Sequence, residues 1–497
     1  MSARRLSRAT LDGARPGVAR PLVDARELAG GIVHLGVGAF HRAHQAVITE
    51  DAIAASGDTA WGITGVSQRS RGVVDQLVPQ DNLYSVVRRA PGLEDARVVG
   101  TLRDMLFARD QQAAVLTALA DARIISLTVT EKGYNLAPGG ALALSDPAVS
   151  ADIASLRART ASTVAPLRTA VGLVAAAVMD HASSGRPVTV LSCDNLPSNG
   201  ALLGAAVRSM LEAAGSQGAL DALAFAERDV TFPSTVVDRM VPVVDGARRD
   251  AIEGMLGLRD EGGVLAEPFW QWVMTDEFAA GRPAWETVGA TFVPDVEPYE
   301  LLKLRVLNAT HSQLAYLGAL NGFVTIAETV QHPAFAAIAR RLIHEEAIPA
   351  LVLPDDMDAH AYGEQVMGRF GNAALGHQTM QVAMDGSQKL PLRLVTTAIA
   401  AYERGETPVS TAVAYAAWMI FVARGADRTG RPLELSDPRA DALRAAAAGP
   451  ESSLASRMID VPGLFPEVLR DSAPWRALVQ ERIDRFALDD PERWVGV

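Results

Sequence analysis

A mixed α/β chain, with a parallel-sheet domain followed by a mostly helical domain, is predicted by three observations. Short apolar runs alternate with helical patterns through the first half of the chain. A glycine pair, Gly36-Val-Gly38, stands where the first of those runs turns into the first helix. From Glu297 onward the apolar spacing becomes that of helices, and proline and glycine fall mainly between them.

The elements follow in order. Gly31-Ile-Val-His-Leu-Gly36 reads as a strand, and a helical pattern runs from Ala39 to about Ala55. Trp61-Gly-Ile-Thr-Gly-Val66 is a second strand candidate. Arg123-Ile-Ile-Ser-Leu-Thr-Val-Thr130 is β-branched and almost wholly apolar, as an inner parallel strand should be. A long Ala/Val-rich helix is expected from Ala161 to Ala182, a strand over Pro187–Ser192, and a helix from Asn199 to Ala214. This alternation implies a parallel sheet covered on both faces. Helices are then expected at Tyr299–Leu320, Pro333–Ile348, Met357–Arg369, Leu390–Arg404, Thr411–Arg424, Pro438–Ala447 and Trp475–Phe486. The break near Val296–Pro298 divides a nucleotide domain, 1–296, from a helical substrate and catalytic domain, 297–497.

Bulk properties narrow the class. With 497 residues and 49 % hydrophobic content the chain can build more than one sizeable core. A net charge of −12 without a Lys/Arg-rich run argues against nucleic acid or an anionic membrane as partner. The apolar run Ala412–Ala423 is too short to span a bilayer, and the basic N-terminus lacks an apolar signal core. The single cysteine, Cys193, excludes an intramolecular disulfide and a Cys-based zinc cluster. The expectation is a soluble, cytoplasmic, monomeric enzyme acting on a small molecule.

Gly36 permits a tight turn, and Gly38 lets the backbone approach a pyrophosphate at a helix start. Gly36, Val37, Gly38, Ala39, Phe40 and His41 form the expected dinucleotide turn, although His41 replaces the usual third glycine. His41 and His44 also read as ordinary polar residues of a first helical turn, and they supply too few ligands for a metal. After the second strand, Ser67, Gln68 and Arg69 stand where an acid would hold the ribose of NAD. They suit a ribose or a 2′-phosphate, so NAD and NADP both stay open.

Tyr299-Glu-Leu-Leu-Lys-Leu-Arg-Val-Leu-Asn-Ala-Thr-His-Ser312 carries the most chemistry. At about 100° per residue, Lys303 lies at 0°, His311 near 80° and Asn308 near 140°, on one side of the helix. An amine, an amide donor and an imidazole on a leucine-backed helix suit metal-free proton transfer at a carbonyl or carbinol. A solvated polar edge is the bland alternative.

Asn195, after the Pro187–Ser192 strand, either donates its amide to a developing alkoxide or to a nicotinamide carboxamide, or caps a helix in an Asx turn. Asp238-Arg239 in an apolar setting reads first as a structural salt bridge. Arg369, His377, Lys389 and Arg393 are further polar positions of the helical half. Lys389 and Arg393 would suit a carboxylate substrate, or simply be solvated.

Several segments resemble the long-chain mannitol dehydrogenase family of polyol and uronate oxidoreductases. They are Ile32-Val-His-Leu-Gly-Val-Gly-Ala-Phe-His-Arg-Ala-His44, Thr130-Glu-Lys-Gly-Tyr134, Ser192-Cys-Asp-Asn195, Thr235-Val-Val-Asp-Arg239 and the helix with Lys303, Asn308 and His311. The resemblance implies a Rossmann-type domain before a mostly α-helical C-terminal domain and NAD as cofactor, with NADP still open. It also implies Lys303 as general acid/base without a metal, Asn195 and Asn308 polarising the reacting oxygen, and His311 and Asp238 positioning substrate. Arg369 and Lys389 are the remaining substrate-binding candidates, and Arg69 joins the cofactor turn. Within the family the chain is most similar to the fructuronate reductase (D-mannonate oxidoreductase) branch, through stretches such as Glu267-Pro-Phe-Trp-Gln-Trp272 and Met384-Asp-Gly-Ser-Gln-Lys-Leu-Pro391. The mannitol branch typically carries an arginine four residues before the aspartate of Asp-Gly-Ser, where this chain has Gln381. The implied reaction is hydride transfer at C2 between D-fructuronate and D-mannonate. The alternative is a mannitol 2-dehydrogenase or an arabinitol-type polyol dehydrogenase.

Overall fold

A computed structural model describes residues 4–137, 139–160, 166–355, 357–487 and 490–495. The chain forms two compact units, Met1–Glu297 and Pro298–Val497.

The first unit is built on strands β1 (Ile32–Leu35), β2 (Ile63–Ser67), β3 (Tyr84–Ala90), β4 (Leu93–Val99), β5 (Leu102–Phe107) and β6 (Ile124–Leu127). It continues with β7 (Val188–Ser192), β8 (Val230–Thr231), β9 (Thr235–Asp238), β10 (Val264–Ala266), β11 (Gln271–Met274) and β12 (Thr291–Phe292). Six of these make one sheet in the order β5-β2-β1-β6-β7-β8, with every neighbouring pair parallel. That is the doubly wound Rossmann order, reversing direction between β1 and β6. The inner strands are buried on both faces, which is why they read as unbroken apolar runs. Two smaller sheets, β10-β3-β4 and β12-β11-β9, complete the unit. Neither stands out in the sequence, because their short strands mix polar and apolar residues without a clean period.

Two helices of this unit depart from expectation. The pattern from Ala39 is two helices, Ala39–Ala43 and Gln45–Ser56, because His44 adopts a non-helical backbone (φ −119°, ψ −95°). Its Nε2 hydrogen-bonds the carbonyl oxygen of Gln271 at 2.9 Å. The helix expected from Ala161 begins at Ala170; residues 161–165 lie outside the described set. Thr169 sets the start, its hydroxyl accepting from the Gly172 N–H at 2.9 Å.

The second unit is helical. Helix Ala309–Asn321 is buried along its whole length, and Val409–Arg424 packs against it with only Arg424 exposed. Both are buried nearly all round, as central helices are, although the first carries the polar run Thr310–Gln313. Glu346 caps the second, its carboxylate accepting from the N–H groups of Ser410 and Thr411 and the Thr411 hydroxyl. Helix Gly386–Glu403 starts before the expected Leu390 and contains Pro391. The helix expected over Tyr299–Leu320 is not uniform: α-helix Glu297–Leu302 passes into a π-helical turn, Lys303–Asn308, before Ala309–Asn321 resumes. A second π-helical turn covers Leu342–Ala347. Among the described residues, no helix is long and apolar enough to cross a membrane.

Candidate active site

In the first unit, β1 ends in Gly36, whose φ of +99° suits glycine. A Cβ there would lie 2.2 Å from the Thr128 carbonyl oxygen, so a side chain would separate the β1 turn from the end of β6. Gly38 is exposed, and a Cβ on it would meet nothing nearer than the Gly36 carbonyl oxygen at 3.9 Å. A cleft of about 320 Å³ opens here, bounded by Gly36–Gly38, Ser67–Ser70 and Thr128–Val129 at the ends of β1, β2 and β6. Ligands of open parallel sheets bind where the strand order reverses. The cleft suits a dinucleotide: the Gly38 backbone is open to it, Arg69 lines it, and the Gln68 side-chain nitrogen is buried without a hydrogen-bond partner among the described residues.

Two residues of the glycine turn are buried, Val37 at the wall of this cleft and His41 behind it. Val37 is buried, and a Cβ on Gly65 would lie 2.7 Å from its Cγ2. His41 is fully buried and stacks on His34, with ring centroids 3.5 Å apart and planes inclined by 14°. The expected nucleotide role of His41 is therefore corrected: its side chain belongs to the core, and only its backbone is left for a ligand. His34 in turn hydrogen-bonds the hydroxyls of Ser126 and Thr128, both at 2.8 Å, and the Thr128 hydroxyl donates to the Gly36 carbonyl at 2.7 Å. Burial pulls the His34 imidazole down to about 3, and that of His41 well below its ordinary value.

The loops after β6 and β7 are tied by Asp194. Its carboxylate accepts from the N–H groups of Val129 (3.1 Å) and Thr130 (2.8 Å) and from the Tyr134 hydroxyl (2.8 Å). Thr130 is held at φ +66°. Burial holds the Asp194 carboxyl above the usual carboxylate range, and these donors oppose the shift. Asn195, next in the chain, is exposed, as is Thr130. Asp238 is buried at the end of β9. Its neighbour Arg239 is buried too, its guanidinium donating to the carbonyl oxygens of Glu267 (3.0 and 2.9 Å) and Ala43.

In the second unit, Lys303, Asn308 and His311 are all buried, at 8 %, 8 % and 9 % exposure. They are not the solvated edge of an amphipathic helix. Lys303 and Asn308 occupy the π turn, where i→i+5 hydrogen bonding widens the turn and the 100° wheel no longer applies. Arg393 fastens the end of this turn, donating from Nη1 to the Asn308 carbonyl oxygen (3.1 Å) and the Ser312 hydroxyl (2.7 Å). His311 stacks on Phe370 and meets His377 edge-on, both at 4.8 Å between centroids. Its Nε2 is buried without a hydrogen-bond partner among the described residues. Burial keeps His311 well below its ordinary pKa, and the charges of His377, Arg393, Arg369 and Lys389 push in the same direction. Arg369 from helix Ala359–Phe370 and Lys389 from the first turn of Gly386–Glu403 thus both bear electrostatically on this imidazole. His377 and Arg393, noted in the sequence without a role, belong to the same cluster. Nothing in the sequence marks the π turn.

The comparisons with known proteins follow the same division. Residues 30–287 match the model for the mannitol dehydrogenase Rossmann domain, and residues 295–481 that for the mannitol dehydrogenase C-terminal domain. The chain belongs to the mannitol dehydrogenase family. It is an oxidoreductase acting on CH–OH donors. It is 39 % identical to D-mannonate oxidoreductase of Escherichia coli (strain K12) over 429 residues, 85 % of each chain. It is 35 % identical to mannitol 2-dehydrogenase of Pyrenophora tritici-repentis over 93 % of this chain and 80 % of that one. Its structure matches Pseudomonas fluorescens mannitol 2-dehydrogenase in ternary complex with NAD and D-mannitol, with a TM-score of 0.88 and 32 % identity. That match covers 99 % of this chain and 98 % of the other.

Proposed function

We propose that this family member interconverts D-fructuronate and D-mannonate, exchanging hydride between NAD(H) and C2 of the sugar acid. The observation carrying this reading is the setting of His311: its buried Nε2 has no hydrogen-bond partner among the described residues, and the cationic Arg393, Arg369 and Lys389 bear on its imidazole. A cationic cluster beside a buried, unpartnered imidazole nitrogen suits a substrate with both a carboxylate and hydroxyls.

The cofactor supplies or accepts the hydride. In reduction Lys303 gives a proton to the C2 oxygen, and in oxidation it removes one. Lys303 is buried, as a group that exchanges a proton with substrate out of reach of bulk water should be. Asn308 donates an amide hydrogen to the developing alkoxide, a role typically worth ~10²–10³ in rate. Neutral His311 offers Nε2 to a substrate hydroxyl, while Arg369 and Lys389 hold the carboxylate. The roles of Asn195 and Asp238 rest on the family resemblance.

NADH oxidation measured with D-fructuronate, D-tagaturonate, D-fructose and D-xylulose tests the substrate. D-Fructuronate should be the best of these. Strong D-fructose reduction beside inactivity on D-fructuronate would replace this reading with a mannitol 2-dehydrogenase, the activity named for two of the relatives.

A further inference from the structure

We propose that the turn after β2 admits a 2′-phosphate, so that the chain takes NADP(H) as well as NAD(H), with Arg69 and Gln68 as the specificity-determining residues. The inference rests on the reading that the cleft at the ends of β1, β2 and β6 holds a nicotinamide dinucleotide.

In a parallel sheet of this order, the residues just past the second strand face the adenosine ribose. A carboxylate there accepts from the 2′-hydroxyl and repels a 2′-phosphate, whereas an arginine accommodates the phosphate. The cleft wall formed by Ser67, Gln68, Arg69 and Ser70 carries no carboxylate. It offers a buried amide donor, the Gln68 side-chain nitrogen, which has no hydrogen-bond partner among the described residues. An unsatisfied buried donor is costly, and a ligand acceptor removes that cost.

Arg69 supplies the charge. It is exposed, lines the cleft and makes no ion pair among the described residues. The nearby acids serve another cation: Arg71 pairs with Asp75 at 3.0 Å and with Asp110 at 2.6 Å. The two arginines of one short turn are thus differently committed, Arg71 to the protein and Arg69 to the cleft. The turn between them is tied down, since the Ser67 hydroxyl donates to the Ser70 carbonyl and the Ser70 hydroxyl accepts from the Gly72 N–H. A guanidinium and an amide on a fixed turn match the oxygens of a phosphomonoester.

Equilibrium titration of the full chain with NADH and NADPH, followed by cofactor fluorescence, tests this without relying on turnover. Competition by 2′-AMP and 5′-AMP isolates the phosphate. The expected result is an NADPH Kd within about tenfold of that for NADH, a difference under about 1.4 kcal/mol. Arg69→Ala should raise the ratio of NADPH to NADH Kd by about tenfold or more and weaken 2′-AMP more than 5′-AMP. Gln68→Glu should move the ratio the same way by restoring a carboxylate. NADPH binding more than about tenfold weaker than NADH, or a ratio unmoved in Arg69→Ala, overturns the inference while leaving the NAD reading intact. Failure of both cofactors to bind overturns that reading and the inference with it.

Discussion

His34 and His41 stack face to face in the core beneath the glycine turn, their ring centroids 3.5 Å apart, and both imidazoles are fully buried. Two charged rings cannot share that space, so the folded state holds them neutral. For His34 burial depresses the folded pKa from 6.5 to about 3, while the unfolded chain keeps the ordinary value. Between those values the unfolded state binds the extra proton, so stability is fully present above about pH 6.5 and is lost as pH falls toward 3. Denaturant melts at successive pH values should show stability falling over this window, by up to about 1.4 kcal/mol per pH unit per histidine. In His34→Gln that slope should be reduced. An unchanged slope would refute the assignment.

Asp194 is the knot of the loops after β6 and β7. Asp194→Asn keeps the shape but replaces one acceptor oxygen with a donor facing the Val129 and Thr130 N–H groups. A loss of ~1–3 kcal/mol in stability is expected. Turnover should fall as well, since the residue beside it, Asn195, loses its anchor. Wild-type stability in Asp194→Asn would show that the three donors find other partners.

With Asn308 in its proposed role at the reacting oxygen, Arg393 is a positioning residue that acts through it. Arg393→Met removes its hydrogen bonds to the Asn308 carbonyl and the Ser312 hydroxyl, releasing the end of the π turn. Misplacement of a catalytic amide by about 1 Å can cost ~10²-fold, so kcat should fall by about tenfold to a hundredfold. Steady-state kinetics should show the loss chiefly in kcat. A purely structural role would instead lower the melting temperature and leave the kcat of the folded fraction unchanged.

Gly318 marks a close approach. A Cβ there would lie 2.0 Å from the Thr329 hydroxyl oxygen, so Gly318→Ala should push helix Ile326–Gln331 away from Ala309–Asn321. The expected cost is ~1–3 kcal/mol by denaturant melt. Thr329→Ala should relieve part of it in the double variant, giving a measurable coupling. Strict additivity of the two substitutions would contradict the contact.

The parallel sheet was legible because its inner strands are buried on both faces and therefore apolar without interruption, as in Ile124–Leu127. The hairpin β3-β4 was not, since Arg88, Arg89, Glu94 and Asp95 break its alternation. In the second unit the residue types at Lys303, Asn308 and His311 signalled chemistry, but their geometry rests on a π turn that no helical wheel contains. Gathering Arg369, His377, Lys389 and Arg393 around His311 depends on tertiary packing of several helices, which local spacing does not encode. His41 misled for a related reason: its place in the glycine turn suggested a ligand contact, whereas its ring pairs with His34 on the preceding strand.

Lys303 is the proposed proton carrier for the sugar acid. The direct measurement is the turnover number of Lys303→Met with D-fructuronate and NADH, alongside NADH binding as a check on folding. A loss of ~10²–10⁴ in kcat with NADH still bound is predicted, the range for removing a general acid/base. Turnover within about tenfold of wild type would contradict it, leaving the family's hydride chemistry with a different proton carrier in this chain.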